Sequence, residues 1–141
     1  MIRHVLIAAT VAAVGAAAAP SPTAAIQRPR ALTASGGACR VSADGAILGV
    51  NIGPNPAMPT LALTVGPSPM ADAMRANKAK YTGPGTYTNE IVALYLGKTA
   101  LDDSHIGLGT VVVNPDGKSG TFELNDHTGA GTFDCGARPH P

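Results

Sequence analysis

Tryptophan is absent from these 141 residues, and two phenylalanines and three tyrosines are the whole aromatic complement. A core built from such a chain has to be mostly aliphatic. Charge is sparse as well: ten basic and nine acidic side chains leave a net charge of +1. That balance offers no broad positive surface for a phosphate backbone, so nucleic acid is not expected as a partner. There are only two cysteines, and neither has a companion at zinc-site spacing. No Asn-linked glycosylation triplet surrounds Asn51, Asn77 or Asn89. Gly83 and Gly85 lack the following Lys-Ser/Thr pair of a phosphate-binding loop. The apolar run Val5–Ala19 falls short of the roughly 20 helical residues needed to cross a bilayer.

What the N-terminus does contain is the pattern of an export signal. Arg3 and His4 form a short basic start, Val5–Ala19 carries no charge, and Pro20–Ala25 is rich in Pro and Ala. Cleavage after Ala19 satisfies the small-residue rule but leaves Pro20 behind the scissile bond. Cleavage after Ala25 avoids that proline, so residues 1–25 are expected to be the signal peptide. The product is then secreted or lies in the extracytoplasmic cell envelope, with no integral membrane span. Cys39 follows Gly36, Gly37 and Ala38, yet Gly36 stands where a lipidated cysteine normally has Leu, and Arg28 and Arg30 separate it from the apolar run. It does not read as a lipid anchor.

In an oxidising compartment Cys39 and Cys135, near the two ends of the folded region, are expected to form a disulfide. Closing so long a loop restricts the unfolded chain by about 4–5 kcal/mol on the chain-entropy account. It also requires the first and last strands to lie within about 7 Å of each other.

Between the cysteines the apolar residues come in short runs separated by Gly, Pro and Thr. Residues 26–37, with Pro29, Gly36 and Gly37, read as a flexible N-terminal arm. Strands are expected over Cys39–Ser42, Ala46–Ile52, Thr60–Val65, Tyr87–Leu96, Leu108–Asn114, Gly120–Asn125 and Gly131–Cys135. One short helix is expected at 70–80, its apolar side made by Met70, Ala73 and Met74. Tyr87–Leu96 is apolar on both faces from Ile91 onward, which points to a central strand or one with a covered outer face. Pro115–Asp116–Gly117–Lys118 has the composition of a tight hairpin, and Gly97–Gly107 reads as a polar loop. Six or seven strands define an all-β domain over 38–135, followed by a C-terminal tail, 136–141. Its architecture is expected to be a small antiparallel β-sandwich, immunoglobulin-like in outline, or a partly closed barrel. Without tryptophan, the packing of a true immunoglobulin centre does not carry over.

The segments Tyr81–Tyr87 (YTGPGTY), Gly109–Gly120 (GTVVVNPDGKSG) with Thr121 and Phe122, and Gly131–Cys135 (GTFDC) resemble those of small exported β-proteins of actinobacteria. In style they are similar to the mycobacterial 19-kDa lipoprotein antigen group. The resemblance spans Ala38–Cys135 and implies a secreted or cell-envelope β-domain with no catalytic residues to transfer.

Asp102, Asp103, Ser104 and His105 form the densest polar cluster, and Asp126 and His127 a second acidic–histidine pair. Neighbours in a chain rarely converge as a triad, so both are expected to be solvated turns, with no catalytic, cofactor or metal site. If the two loops met, their histidines and aspartates would form a candidate zinc set. Asp44 and Asp116 precede glycines and read as turn residues. Arg75, Lys78 and Lys80 with Tyr81 and Tyr87 make a possible surface patch, and Met70 and Met74 a possible flap over an apolar guest. The expected function is therefore non-enzymatic: a surface presented to an envelope or extracellular protein. The alternative is a carrier of a small apolar or lipid ligand.

Overall fold

The computed structural model describes residues 20–27, 31–54, 57–98 and 103–141. Nine strands and one helix follow in the order β1 (Thr23–Gln27), β2 (Leu32–Ser35), β3 (Gly37–Val41), β4 (Leu48–Ile52), β5 (Leu61–Val65), α1 (Pro69–Met74), β6 (Gly85–Tyr95), β7 (Ser104–Val113), β8 (Ser119–Leu124) and β9 (Ala130–Asp134). From β3 to β9 each strand pairs with the next in an antiparallel meander, and β1 is inserted between β9 and β2. The result is an all-β, nearly closed nine-strand antiparallel barrel with one short helix and one disulfide.

Closure rests on a change of partner within one stretch of chain. Residues of β2 bond to β1, while those of β3, one residue further on, bond to β4. The same stretch thus supplies both edges of the sheet. Gly36 and Gly37 make the bend at φ 85° and 103°, angles that side-chain-bearing residues rarely adopt. A Cβ on Gly37 would come within 2.0 Å of the Asn51 carbonyl oxygen. At the bend the Gly36 N–H donates to Pro22 O at 2.8 Å and its carbonyl accepts from Gly53 N–H at 3.2 Å.

The Cys39–Cys135 disulfide, with Cα atoms 5.7 Å apart, ties β3 to the end of β9, as expected from the sequence. Beyond it the tail lies along β3: Val41 N–H donates to His140 O at 2.9 Å, and Arg40 and His140 form a parallel bridge.

Two strands more than the expected six or seven are present. Strands β1 and β2 occupy the stretch read as the end of the signal and a flexible arm. Ala24 and Ile26 enter the core while Thr23, Ala25 and Gln27 face out, but this alternation is built from small residues that merge with the Ala-rich leader. Strand β7 also begins four residues earlier than expected, because Ser104–Gly107 pairs with the second half of β6. Its alternation is masked by Gly107 and by the exposed Ile106. The helix ends at Met74 and not at 80: Ser68 Oγ caps it by accepting from Ala71 N–H at 3.1 Å, and Arg75 turns left-handed at φ 56°.

The barrel interior is filled by aliphatic side chains. Leu48, Val50, Ile52, Leu61, Leu63, Val65, Val92, Leu94 and Val111 are all fully or almost fully buried. Val41 packs half-buried against this cluster, and on β6 the inward face belongs to Val92 and Leu94 while Ile91 lies on the outer side under the helix. The two phenylalanines occupy a repeated Gly-Thr-Phe, at 120–122 and 131–133. Antiparallel pairing sets Phe122 opposite Gly131 and Phe133 opposite Gly120. Each ring covers the glycine across from it, compensating for the missing side chain.

Replacing both cysteines with serine is expected to lower stability by about 2–5 kcal/mol, read as a lower urea midpoint. An unchanged midpoint would show that the tail and the bent strand close the barrel unaided.

Candidate functional site

The outer face of β5, β6 and β7 is apolar in two successive rows. One row contains Thr64, Ile91 and Leu108, and the next Ala62, Ala93 and Ile106, aligned by the strand registers. Helix α1 covers the first row: Ala71 and Ala76 are buried with Ile91, and Met74 and Leu108 pack against them. In the second row Ala93 is buried and Ala62 half-buried, but Ile106 at its end is 54% exposed. Beside it, Met58, Pro59, Ala62 and Tyr95 line an open groove of about 390 Å³ with Lys98 on its wall. The sequence already showed both faces of β6 to be apolar. It did not show that the helix is too short to hide the outer one.

The expected surface patch is distributed differently. Met70 is 57% exposed and Ala73 faces solvent, so the face of α1 against the sheet is Ala71 and Met74, not Met70 and Ala73. Neither Met70 nor Met74 lines the clefts described here. Lys78 Nζ is 2.5 Å from Asp72 Oδ1, Arg75 is exposed beside the helix end, and Lys80 lies close enough to Asp44 to favour its charged form. Tyr87 is buried: its hydroxyl donates to Gly83 O at 2.6 Å and accepts from Thr82 N–H at 3.0 Å. The half-buried Tyr81 ring stacks on it at 5.6 Å, tilted by 37°. Burial pushes the Tyr81 phenol up, with Tyr87 adding to the effect.

The two acidic–histidine loops do approach each other. Asp126 is held below the usual carboxylate range by the Thr128 hydroxyl and N–H, with a smaller contribution from His105. His105 Nε2 sits 3.0 Å from Asp103 Oδ1, and His127 Nδ1 2.7 Å from Glu123 Oε1. Among the described residues no group of three His, Cys, Asp or Glu side chains is arranged to hold a metal; Asp102 lies outside them. Ser104 and His105 are consecutive on β7 and point to opposite faces of the sheet, so they do not form a nucleophile–base pair. Asp44 and Asp116 accept the turn hydrogen bonds expected of them, from the Ser42 hydroxyl and Ala46 N–H and from Lys118 N–H, Ser119 N–H and Ser119 Oγ.

One ionisable group was missed altogether. Glu90 is 0% exposed and shares the inward face of β6 with Val92 and Leu94. Gly66 N–H donates to its Oε2 at 3.2 Å, while Oε1 has no partner among the described residues. The bulge at Thr88–Asn89, with Asn89 at φ 56°, resets the strand so that Tyr87 and Glu90 both point inward.

Comparison with family models, curated proteins and solved structures finds no match for this chain. No helix among the described residues is long and apolar enough to cross a membrane.

Desolvation raises the Glu90 pKa above its ordinary value of 4.5, opposed in part by the Gly66 hydrogen bond. The folded state therefore holds this proton more tightly than the unfolded chain. Its stabilising contribution is fully present below the unfolded value and is lost as pH rises through the raised folded one. Glu90→Gln, neutral throughout, is expected to match the parent near pH 4 and to exceed it by a growing margin as pH rises. Urea midpoints across that range check this; a constant difference would remove the titration from the account.

Proposed function

We propose that this chain is a non-enzymatic exported domain, secreted or held in the extracytoplasmic cell envelope, that presents the outer face of β5–β7 to an envelope or extracellular protein. The observation that carries this reading is the half-covered apolar face: α1 buries Ile91 and covers part of Leu108, while Ile106 and Met58 beside the groove stay exposed. Exposed aliphatic side chains beside a groove are what a protein partner buries. The non-enzymatic part is supported by the separation of Ser104 from His105 and by the engagement of Asp44, Asp116 and Asp126 in turns. The domain is immunoglobulin-like in role, a small stapled scaffold that exposes a sheet face and loops. In this role the domain resembles exported actinobacterial β-proteins of the 19-kDa antigen style, without their lipid anchor.

A second reading, carriage of a small apolar or lipid ligand, is favoured by the groove at Met58 and Tyr95. The filled barrel and the packed Met74 leave that outer groove, and not the α1 flap, as the place for such a guest.

A photo-crosslinking residue at Ile106, in cells of the source organism, is expected to capture one principal extracytoplasmic protein. The same group at Thr121, on another part of the outer surface, should capture far less. Equal labelling at both positions, or a lipid adduct in place of a protein, would turn the assignment toward the second reading or away from both.

The fold also bears on processing. A cut after Ala25 would divide β1 and remove Ala24 from the core, so we assign leader removal to Ala19, which leaves β1 whole. Mass spectrometry of the exported protein is expected to show an N-terminus at Pro20. A start at Ile26 would require the barrel to stand with only a remnant of β1.

A further inference from the structure

We propose that the seam where the tail meets β3 is a binding site for a phosphate group. Arg40, Arg138 and His140 line one cleft of about 290 Å³ whose wall includes the Cys39–Cys135 disulfide. No aspartate or glutamate lines it. Among the described residues, the side chains of these three have neither hydrogen bond nor ion pair. On the helix side Lys78 is bridged to Asp72, and Lys80 lies near Asp44. At the seam two guanidiniums and an imidazole come together without such a partner. Lys118, which lies near Asp116, reaches the margin with its Nζ 3.4 Å from Gly136 O. Asp134 accepts from Gly136 N–H at 2.8 Å and lines a different cleft with Thr23 and Ser119.

The site is held by backbone and covalent bonds, not by the side chains that would bind. The parallel bridge sets Arg40 and His140 side by side, Val41 N–H holds His140 O, and the disulfide anchors both flanks. Gly136 lets the tail press against the N-terminal segment, since a Cβ there would come within 1.9 Å of Pro20 O. The cations are therefore gathered before any ligand arrives, which lowers the ordering cost of binding. Guanidinium forks match phosphate oxygens with paired charge-assisted hydrogen bonds. A phosphate has enough acceptor oxygens to take paired bonds from two guanidiniums and one more from an imidazole; those bonds exceed the roughly four acceptor sites of a single carboxylate. The phosphate can belong to a free ion or to a lipid headgroup, and the same three side chains would take either.

The test uses the full disulfide-bonded protein at low ionic strength, with amide NMR shifts followed during titration with inorganic phosphate. Saturable shifts are expected at Arg40, Val41, Ala137, Arg138 and His140, with acetate at equal ionic strength binding more weakly. Arg40→Ala with Arg138→Ala, both exposed positions, should weaken phosphate by about tenfold or more and leave the remaining spectrum unchanged. Lys78→Ala with Lys80→Ala should leave the affinity as it is. Shifts that follow ionic strength without saturating, or equal losses in the two double variants, would overturn the proposal. Vesicles of phosphatidylcholine with and without phosphatidylglycerol then separate the sources. Sedimentation with the anionic vesicles that is lost in the arginine double variant assigns the site to a headgroup; intact phosphate binding without sedimentation assigns it to the free ion.

Discussion

A barrel with an interruption in its edge strand holds together only if the interruption is itself bonded, and the bend at Gly36–Gly37 meets that condition. Its backbone groups bond to Pro22 on one side and Gly53 on the other while the strand passes from β1 to β4. Every other part of the arrangement follows from that passage. Because the two sheet edges belong to one continuous stretch, the usual liability of two unpaired edges is reduced. The disulfide and the tail then cover the part of β3 that the bend turns away from β2. A side chain at Gly37 would force the bend open against the Asn51 carbonyl.

Helix α1 shows how a small element decides what a sheet displays. Its six residues reach Ile91 and Leu108 but stop before Ala93 and Ile106. The stop has a local cause, the left-handed Arg75, whose N–H bonds back to Ala71 and Asp72 carbonyls. A helix continued to Lys80 would follow a different path over the sheet, and the chain could not return to Ala46, where Tyr81 N–H is bonded at 2.8 Å. The exposure of Ile106 is thus a consequence of helix capping as much as of strand composition.

Much of the meander was legible. Strands β4, β5, β8 and β9 alternate cleanly, the Asn114–Ser119 turn has the residues its geometry needs, and the two cysteines fall where the barrel closes. The rest escaped for identifiable reasons. β1 hides in an Ala-rich stretch that also reads as a leader. The opening of β7 carries a glycine and an outward isoleucine, which blur period-two alternation. The inward position of Glu90 depends on a bulge, and one inserted residue exchanges the faces of everything before it. The grouping of Arg40 with Arg138 and His140 depends on a backbone bond between residues a hundred apart in sequence, for which side-chain pattern carries no signal. Asp126 and His105 illustrate the middle ground: the meeting of their loops was conceivable from sequence, but its weak electrostatic character was not.

The pairing of β1 with β9 has a kinetic meaning. Most ladders in the barrel join strands that follow one another, so hairpins can form as the chain lengthens. The first strand is different, since its second neighbour, β9, is the strand furthest from it along the chain. Until β9 and Cys135 are available, the β1–β2 hairpin has a vacant flank and the cysteine at 39 has no sulfur to meet. Closure of the ring and formation of the disulfide consequently wait on the same segment, and a product cut before it can neither close nor staple itself.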